Sequence, residues 1–192
     1  MGKRLLVFAS LLALGAFFAF RALAPVFPSD RTPEGAYLRI AKAVADGDPR
    51  AIFAYLETEA QWASFTVRDA RRAALGKVRA SYPSEERRVY EQAYGALADA
   101  PDGPDAFAVL ASQRGWIARL RKDLSGVARV EVDGPRASVV TARGARYPFH
   151  LRDNGIWGLT IFTADLIAES ERASRDLAVV AAAADDYARV KR

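Results

Sequence analysis

The sequence predicts an α+β fold: several helices packed on a four-stranded antiparallel meander, with a membrane-anchor helix at the N-terminus and a long helix at the C-terminus. Three observations carry this. Within 127–162, apolar and polar side chains alternate in short runs joined by Asp-Gly and Asn-Gly turns. Within 32–124, apolar side chains recur at three- and four-residue steps, punctuated by Pro and Gly. Beyond 163 one helical stripe continues almost to the end. The chain divides into a signal anchor or signal peptide at 1–27, a linker at 28–31, an α+β domain at 32–162 and a C-terminal helix at 163–192.

The first segment reads as a targeting element. Lys3 and Arg4 precede an apolar run over 5–20 that Arg21 interrupts, and 22–27 is largely apolar again. The run is shorter than the ~20 residues of a spanning helix and longer than the ~7–15 apolar residues of a cleaved signal. Ala22-Leu23-Ala24 has the small-x-small form of a cleavage site, but Pro25 follows it directly. The favoured reading is an uncleaved anchor through residues 5–27, with Arg21 reaching for the interface and a cytoplasmic N-terminus. A cleaved signal, and hence secretion, is the alternative. Both export the rest of the chain, to the periplasm or another extracytoplasmic space.

Helix starts come next. Thr32-Pro33-Glu34 opens one helix with a cap, a proline and an acid in the first turn. Its stripe is Tyr37, Ile40, Ala41 and Val44, and Gly47 ends it. Asp48-Pro49 opens a second, with Ile52, Phe53, Tyr55 and Leu56 facing in. Residues 62–67 are predicted as a short strand or a loop that buries Trp62 and Phe65, with a helix over 68–80 after it. Ser84 caps the next helix, whose inner face is Val89, Tyr90, Ala93, Tyr94 and Leu97. A loop at 101–104 leads to a helix through Phe107, Leu110 and Ala111, kinked at Gly115 and continued by Trp116, Ile117, Leu120 and Leu124.

In the meander, Ala128, Val130 and Val132 are predicted on one face of the first strand, with Arg129 and Glu131 on the other. Asp133-Gly134 turns the chain into 137–141, and Gly144 turns it again. Ala145, Tyr147, Phe149 and Leu151 then share a face opposite Arg146, Pro148, His150 and Arg152. After Asp153-Asn154-Gly155, Trp157, Leu159 and Ile161 are in phase. The closing helix carries Leu166, Ala173, Leu177, Val180, Ala184 and Tyr187 at heptad-like steps. Packing on its own domain is the first expectation for this Ala-rich stripe. Association with a protein partner or with itself through 164–191 is the sharper one.

Composition narrows the chemistry. Of 192 residues, 51% are hydrophobic and 10% aromatic, which is enough to build a core, and the formal net charge is +5. There is no cysteine, which excludes disulfides, thiolate nucleophiles, Cys-ligated metals and a lipidated cysteine anchor. His150 is the one histidine, so no His pair can hold a metal, and it is predicted as a solvent-side strand residue. The metalloprotease, nucleophile-elbow and phosphate-loop motifs do not occur. No catalytic, cofactor-binding or metal-binding residue is assigned. Candidate pocket-lining residues are Tyr37, Tyr55, Trp62, Tyr147, Phe149 and Trp157, for which plain core is the more ordinary role. Arg129, Arg136, Arg143, Arg146 and Arg152 are candidates for an anionic surface such as lipid headgroups, with Arg129, Arg146 and Arg152 the ones singled out. Pairing of these arginines with Glu131 or Asp153 is preferred. Nucleic acid is excluded for an exported chain, and the identity of any small ligand is left open.

The opening TPEGAYLRIAKAVADGDPRAIFAYL and the closing VARVEVDGPRASVVTARGARYPFHLRDNGIWGLTIF together resemble the nuclear-transport-factor-2-like, cystatin-like α+β superfamily. The resemblance implies first helices lying across the concave face of a curved sheet, with Tyr147, Phe149 and Trp157 turned inward. The extra helices in 68–124 and the long helix after the last strand depart from the family pattern. The family includes non-enzymatic envelope modules and a few pocket enzymes. Three functions follow as expectations. The first is a membrane-anchored, exported accessory module that binds without catalysis. The second is a small-pocket isomerase or hydratase using a buried carboxylate. The third is a scaffold that oligomerises through the C-terminal helix.

Overall fold

The computed structural model describes residues 27–190. The anchor segment up to residue 26 and the basic residues Lys191 and Arg192 lie outside the described residues. No helix among the described residues is long and apolar enough to cross a membrane.

The helix starts follow their local chemistry. Thr32 caps α1 (Pro33–Asp46), its hydroxyl accepting from Gly35 N at 3.1 Å, and Gly47 ends it at φ 72°. Asp48 caps the short α2 (Pro49–Phe53) through Arg50 N and Ala51 N. Tyr55 and Leu56, predicted on the stripe of this helix, lie beyond its end. They run instead alongside the sheet.

Residues 62–67 are neither strand nor loop. They belong to α3 (Thr58–Ser81), a helix of 24 residues. Ala60, Ala63, Val67, Ala70, Ala74 and Val78, all buried, set a three-and-four step that carries straight through the aromatic pair. Phe65 leans in against Phe53 in an edge-on contact, whereas Trp62 is 68% exposed. The expectation that Trp62 is buried is therefore corrected: helical phase decided its direction, not its hydrophobicity.

Helix α4 (Ser84–Ala98) starts one residue earlier than a Ser84 cap requires, and Pro83 occupies the cap position. Its inner side is Tyr90, Tyr94, Leu97 and Ala98, while Val89 and Ala93 face solvent. Asp102 caps α5 (Gly103–Gln113). Gly115, at φ 66°, breaks the helix rather than kinking it, and α6 (Trp116–Asp123) starts afresh.

The sheet is the predicted meander: β1 (Val127–Asp133), β2 (Arg136–Thr141), β3 (Arg146–Leu151) and β4 (Trp157–Leu159), antiparallel in the order β1-β2-β3-β4. Its turns fall at Gly134, Gly144 and Gly155, all with positive φ. The first strand departs from simple alternation. A register shift between Val127 and Arg129 turns Val127 toward the core beside Val130, while Ala128 and Val132 are exposed. Leu151 and Ile161, at the ends of their predicted runs, are also exposed.

The outer edge of β4 is covered. Leu159 N donates to Tyr55 O at 2.7 Å and Glu57 N to Leu159 O at 3.2 Å, so Leu56 forms a parallel bridge to Leu159. A Cβ on Gly158 would lie 2.8 Å from the Glu57 backbone, so this close approach requires glycine.

Helix α1 lies on the sheet, and one core joins Tyr37, Ile40, Val139, Phe149 and Leu159 to Phe107 and Trp116. The closing helix α7 (Thr163–Val190) packs along α3 through Leu166, Ala173, Val180 and Ala184. A second, smaller cluster lies at the far end, where Ala74, Val78 and Tyr82 meet Val180 and Ala184.

Candidate functional site

Four of the six predicted pocket residues come together, as core. The rings of Tyr37 and Tyr147 are 5.3 Å apart, and Phe149 and Trp157 share their cluster. Tyr37 Oη donates to Ser125 O at 2.6 Å and accepts from Ser125 N at 3.1 Å, and Trp157 Nε1 donates to Arg31 O at 3.2 Å. Buried polar tips are thus satisfied in both cases. Tyr55 lies apart, its hydroxyl 3.5 Å from Asp30 Oδ2, in a groove lined by Arg39, Lys42 and Asp48. Trp62 is on the outer surface.

Four of the five candidate arginines are tied rather than displayed, while Arg136 is exposed and unpaired among the described residues. Glu131 accepts from Arg129 at 2.9 Å and from both ends of the Arg146 guanidinium at 2.7 and 3.1 Å. These bonds, Arg146 first, hold the Glu131 carboxyl below its ordinary range. Arg152 is elsewhere. It donates to Ala54 O and Gln61 Oε1 across to the α2–α3 connection, not to Asp153. Arg143 donates to Lys122 O.

His150 sits where Arg136 and Gly158 flank it across the sheet. Because Gly158 has no side chain, Glu57 reaches over it, and Glu57 Oε1 lies 3.2 Å from His150 Nδ1. Thr163 Oγ1 donates to the other Glu57 oxygen at 2.8 Å. A cleft of about 220 Å³ beside this pair is lined by Arg136, Pro148 and Thr160. The arrangement orients an imidazole, but no side chain of nucleophile type is hydrogen-bonded to it among the described residues.

Two charged groups are buried where the sequence suggested only a helical seam. Arg71 on α3 and Glu169 on α7 are 5% and 7% exposed. Arg71 donates to Asp176 at 2.6 Å and approaches Glu169 at 3.4 Å, with its guanidinium over the Tyr94 ring at 4.3 Å. Arg114 and Arg172 also pair with Glu169. Glu169 is the one buried carboxylate among the described residues, and three cations surround it. It clasps α3 to α7 and ties both to the end of α5 through Arg114.

Charged groups without ion-pair partners among the described residues gather where α6, β3 and the start of α7 meet. A cleft of about 240 Å³ is bounded by Arg119 and Asp123 of α6, Arg146 and Tyr147 of β3, and Phe162 and Asp165 at the start of α7. Asp123, Asp165 and Arg119 are exposed and form no ion pair among the described residues. Tyr147 is 5% exposed, and among the described residues no protein group hydrogen-bonds its hydroxyl. Burial, with the nearby Tyr37 and Asp123, pushes this phenol up to about 12, so it stays protonated and can both donate and accept.

Sequence reasoning named Tyr147 but missed Arg119, Asp123 and Asp165. The first two are four residues apart on a helix, the spacing of an ordinary surface ion pair, and Asp165 has the placement of a helix-start acid. Only the meeting of three distant segments distinguishes them. Comparisons with protein-family models, with curated proteins and with solved structures give no match.

Proposed function

We propose that this chain is a membrane-tethered, exported accessory module of the nuclear-transport-factor-2-like kind, one that binds a ligand or partner without catalysis. The observation that carries this reading is the distribution of polar groups around the sheet. Its helix-covered side is filled by Tyr37, Ile40, Val139, Phe149 and Leu159, while uncommitted charges gather in the cleft at Asp123 and Asp165. Binding therefore belongs at the rim of the interface.

The non-catalytic part is supported by how the reactive groups are occupied. Glu169 is neutralised by arginines, and His150 is held against Glu57. The tether rests on the basic and apolar residues before Phe27. The kinship rests on element order: a capped helix pair, further helices, then a meander on which α1 packs.

Fractionation of cells expressing the full-length chain tests this function. The chain is expected in the membrane fraction, released by detergent but not by high salt, with its C-terminal domain digested by protease added to spheroplasts. A soluble, protease-protected chain with an intact N-terminus would overturn it. Mass spectrometry of the mature N-terminus separates the tethered form from one secreted after cleavage.

A further inference from the structure

We infer that the cleft between α6, β3 and the start of α7 binds a small organic cation, an amine or a guanidine, held by Asp123 and Asp165 with the Tyr147 hydroxyl as an additional acceptor. This deepens the binding-module function and rests on it. Charge gives the first argument. Of the two guanidinium groups in the cleft, Arg146 is taken by Glu131 through two hydrogen bonds, leaving Arg119 against two free carboxylates. The uncommitted charge is therefore negative, within a chain that is positive overall.

Tyr147 gives the second argument, independent of the acids. Its neighbour Tyr37 is equally buried and has both hydrogen bonds of its hydroxyl filled by Ser125. Tyr147 has none, yet its oxygen is not sealed in, since it is absent from the buried polar atoms that lack a partner. An oxygen that opens onto the cleft while the rest of its ring is buried takes its hydrogen bonds from the cleft, from water or from a ligand that displaces it. An N–H donor lying between this oxygen and the carboxylates satisfies all of them together.

The walls suit the same ligand. Tyr147 and Phe162 present aromatic surface, which attracts cations as well as apolar carbon. The volume of about 240 Å³ lies below the usual range for drug-sized ligands, so the occupant is small. Arg119 at the rim accommodates a carboxylate if the cation also carries one.

Isothermal titration calorimetry of the full-length chain in neutral detergent tests this, with putrescine as probe and acetate as the opposing one. Saturable binding of putrescine is expected, with a shift in the NMR signal of the Trp116 indole, which stacks on Phe162 at 4.7 Å. Asp123→Asn and Asp165→Asn are each expected to weaken binding about tenfold or more, and Tyr147→Phe about fivefold. Asp133→Asn, an acid on the distant hairpin, is expected to leave it unchanged. All four sites are checked for unaltered thermal unfolding. Unsaturable heats with putrescine, or an affinity unchanged from the parent in both cleft aspartate variants, would overturn the proposal. Saturation by acetate alone overturns the cation but leaves a binding module. Silence from both probes removes this cleft, while the tethering result stands separately.

Discussion

The two contact regions of this molecule are built from different materials. Where α1 meets the sheet, large side chains do the packing: Tyr37, Ile40, Phe149 and Leu159 are almost completely buried. Where α7 meets α3, the seam is mostly alanine and valine, and its specificity comes from Arg71, Glu169 and a group of tyrosines. Alanine lets two helices approach closely but buries little area, so directional contacts set the register there. The difference teaches that one region resists unfolding by area and the other by pairing, and that they should answer differently to substitution.

The largest effect is expected from Phe149→Ala, which opens a cavity in the area-built region and costs about 3–5 kcal/mol. Urea unfolding of the full chain measures it, and a cost near that of a surface change would mean that the sheet core is not the main store of stability. A smaller loss, about 2–3 kcal/mol, is expected from Glu169→Leu. This falls at or below the usual cost of stranding a buried charge because Arg71 retains Asp176. Adding Arg71→Met is expected to recover most of that loss, as removing both partners often does. A double variant worse than the single would show that the pair contributes net stability and not only alignment.

The smallest effect is expected from Tyr82→Phe. It removes the hydrogen bond to Val180 O and costs about 1 kcal/mol at neutral pH. This variant also has a pH signature. Burial, with the neighbouring Tyr90 and Tyr187, pushes the Tyr82 phenol from 10.0 up to about 12. The folded state thus prefers the protonated form. Its contribution is complete below pH 10 and is lost as pH rises through about 12. Stability measured from pH 9 upward should fall less steeply in Tyr82→Phe than in the parent. The fall that remains is assigned to the other raised phenols, Tyr147 at about 12 together with Tyr37, Tyr55, Tyr94 and Tyr187. An unchanged slope would break the assignment to Tyr82.

Local chemistry was readable in the sequence, and longer-range geometry was not. Thr32-Pro33 and Asp48-Pro49 start helices, and Gly134 and Gly155 turn strands, because the residues that satisfy each backbone group are neighbours in the chain. Trp62 misled because hydrophobicity was weighed before phase: Ala60, Ala63 and Val67 already defined the inner side of α3. The bulge that turns Val127 inward leaves no compositional trace. Glu169 occupied a seam position between Leu166 and Ala173, so its burial had a signal, masked by the rule that charges stay outside. The cleft at Tyr147 needed the folded arrangement, because its acids come from α6 and α7 and its hydroxyl from β3.

The bridge between Leu56 and Leu159 has a kinetic meaning. The meander's own hairpins join residues a few positions apart, so their ordering can begin early. The bridge closes a loop of about a hundred residues, whose closure entropy is met only after intervening helices have already condensed. Docking of β4 against the α2–α3 connection is therefore a late event in assembly. Until then the sheet has two open edges, and the chain is at its most vulnerable to pairing with another copy of itself.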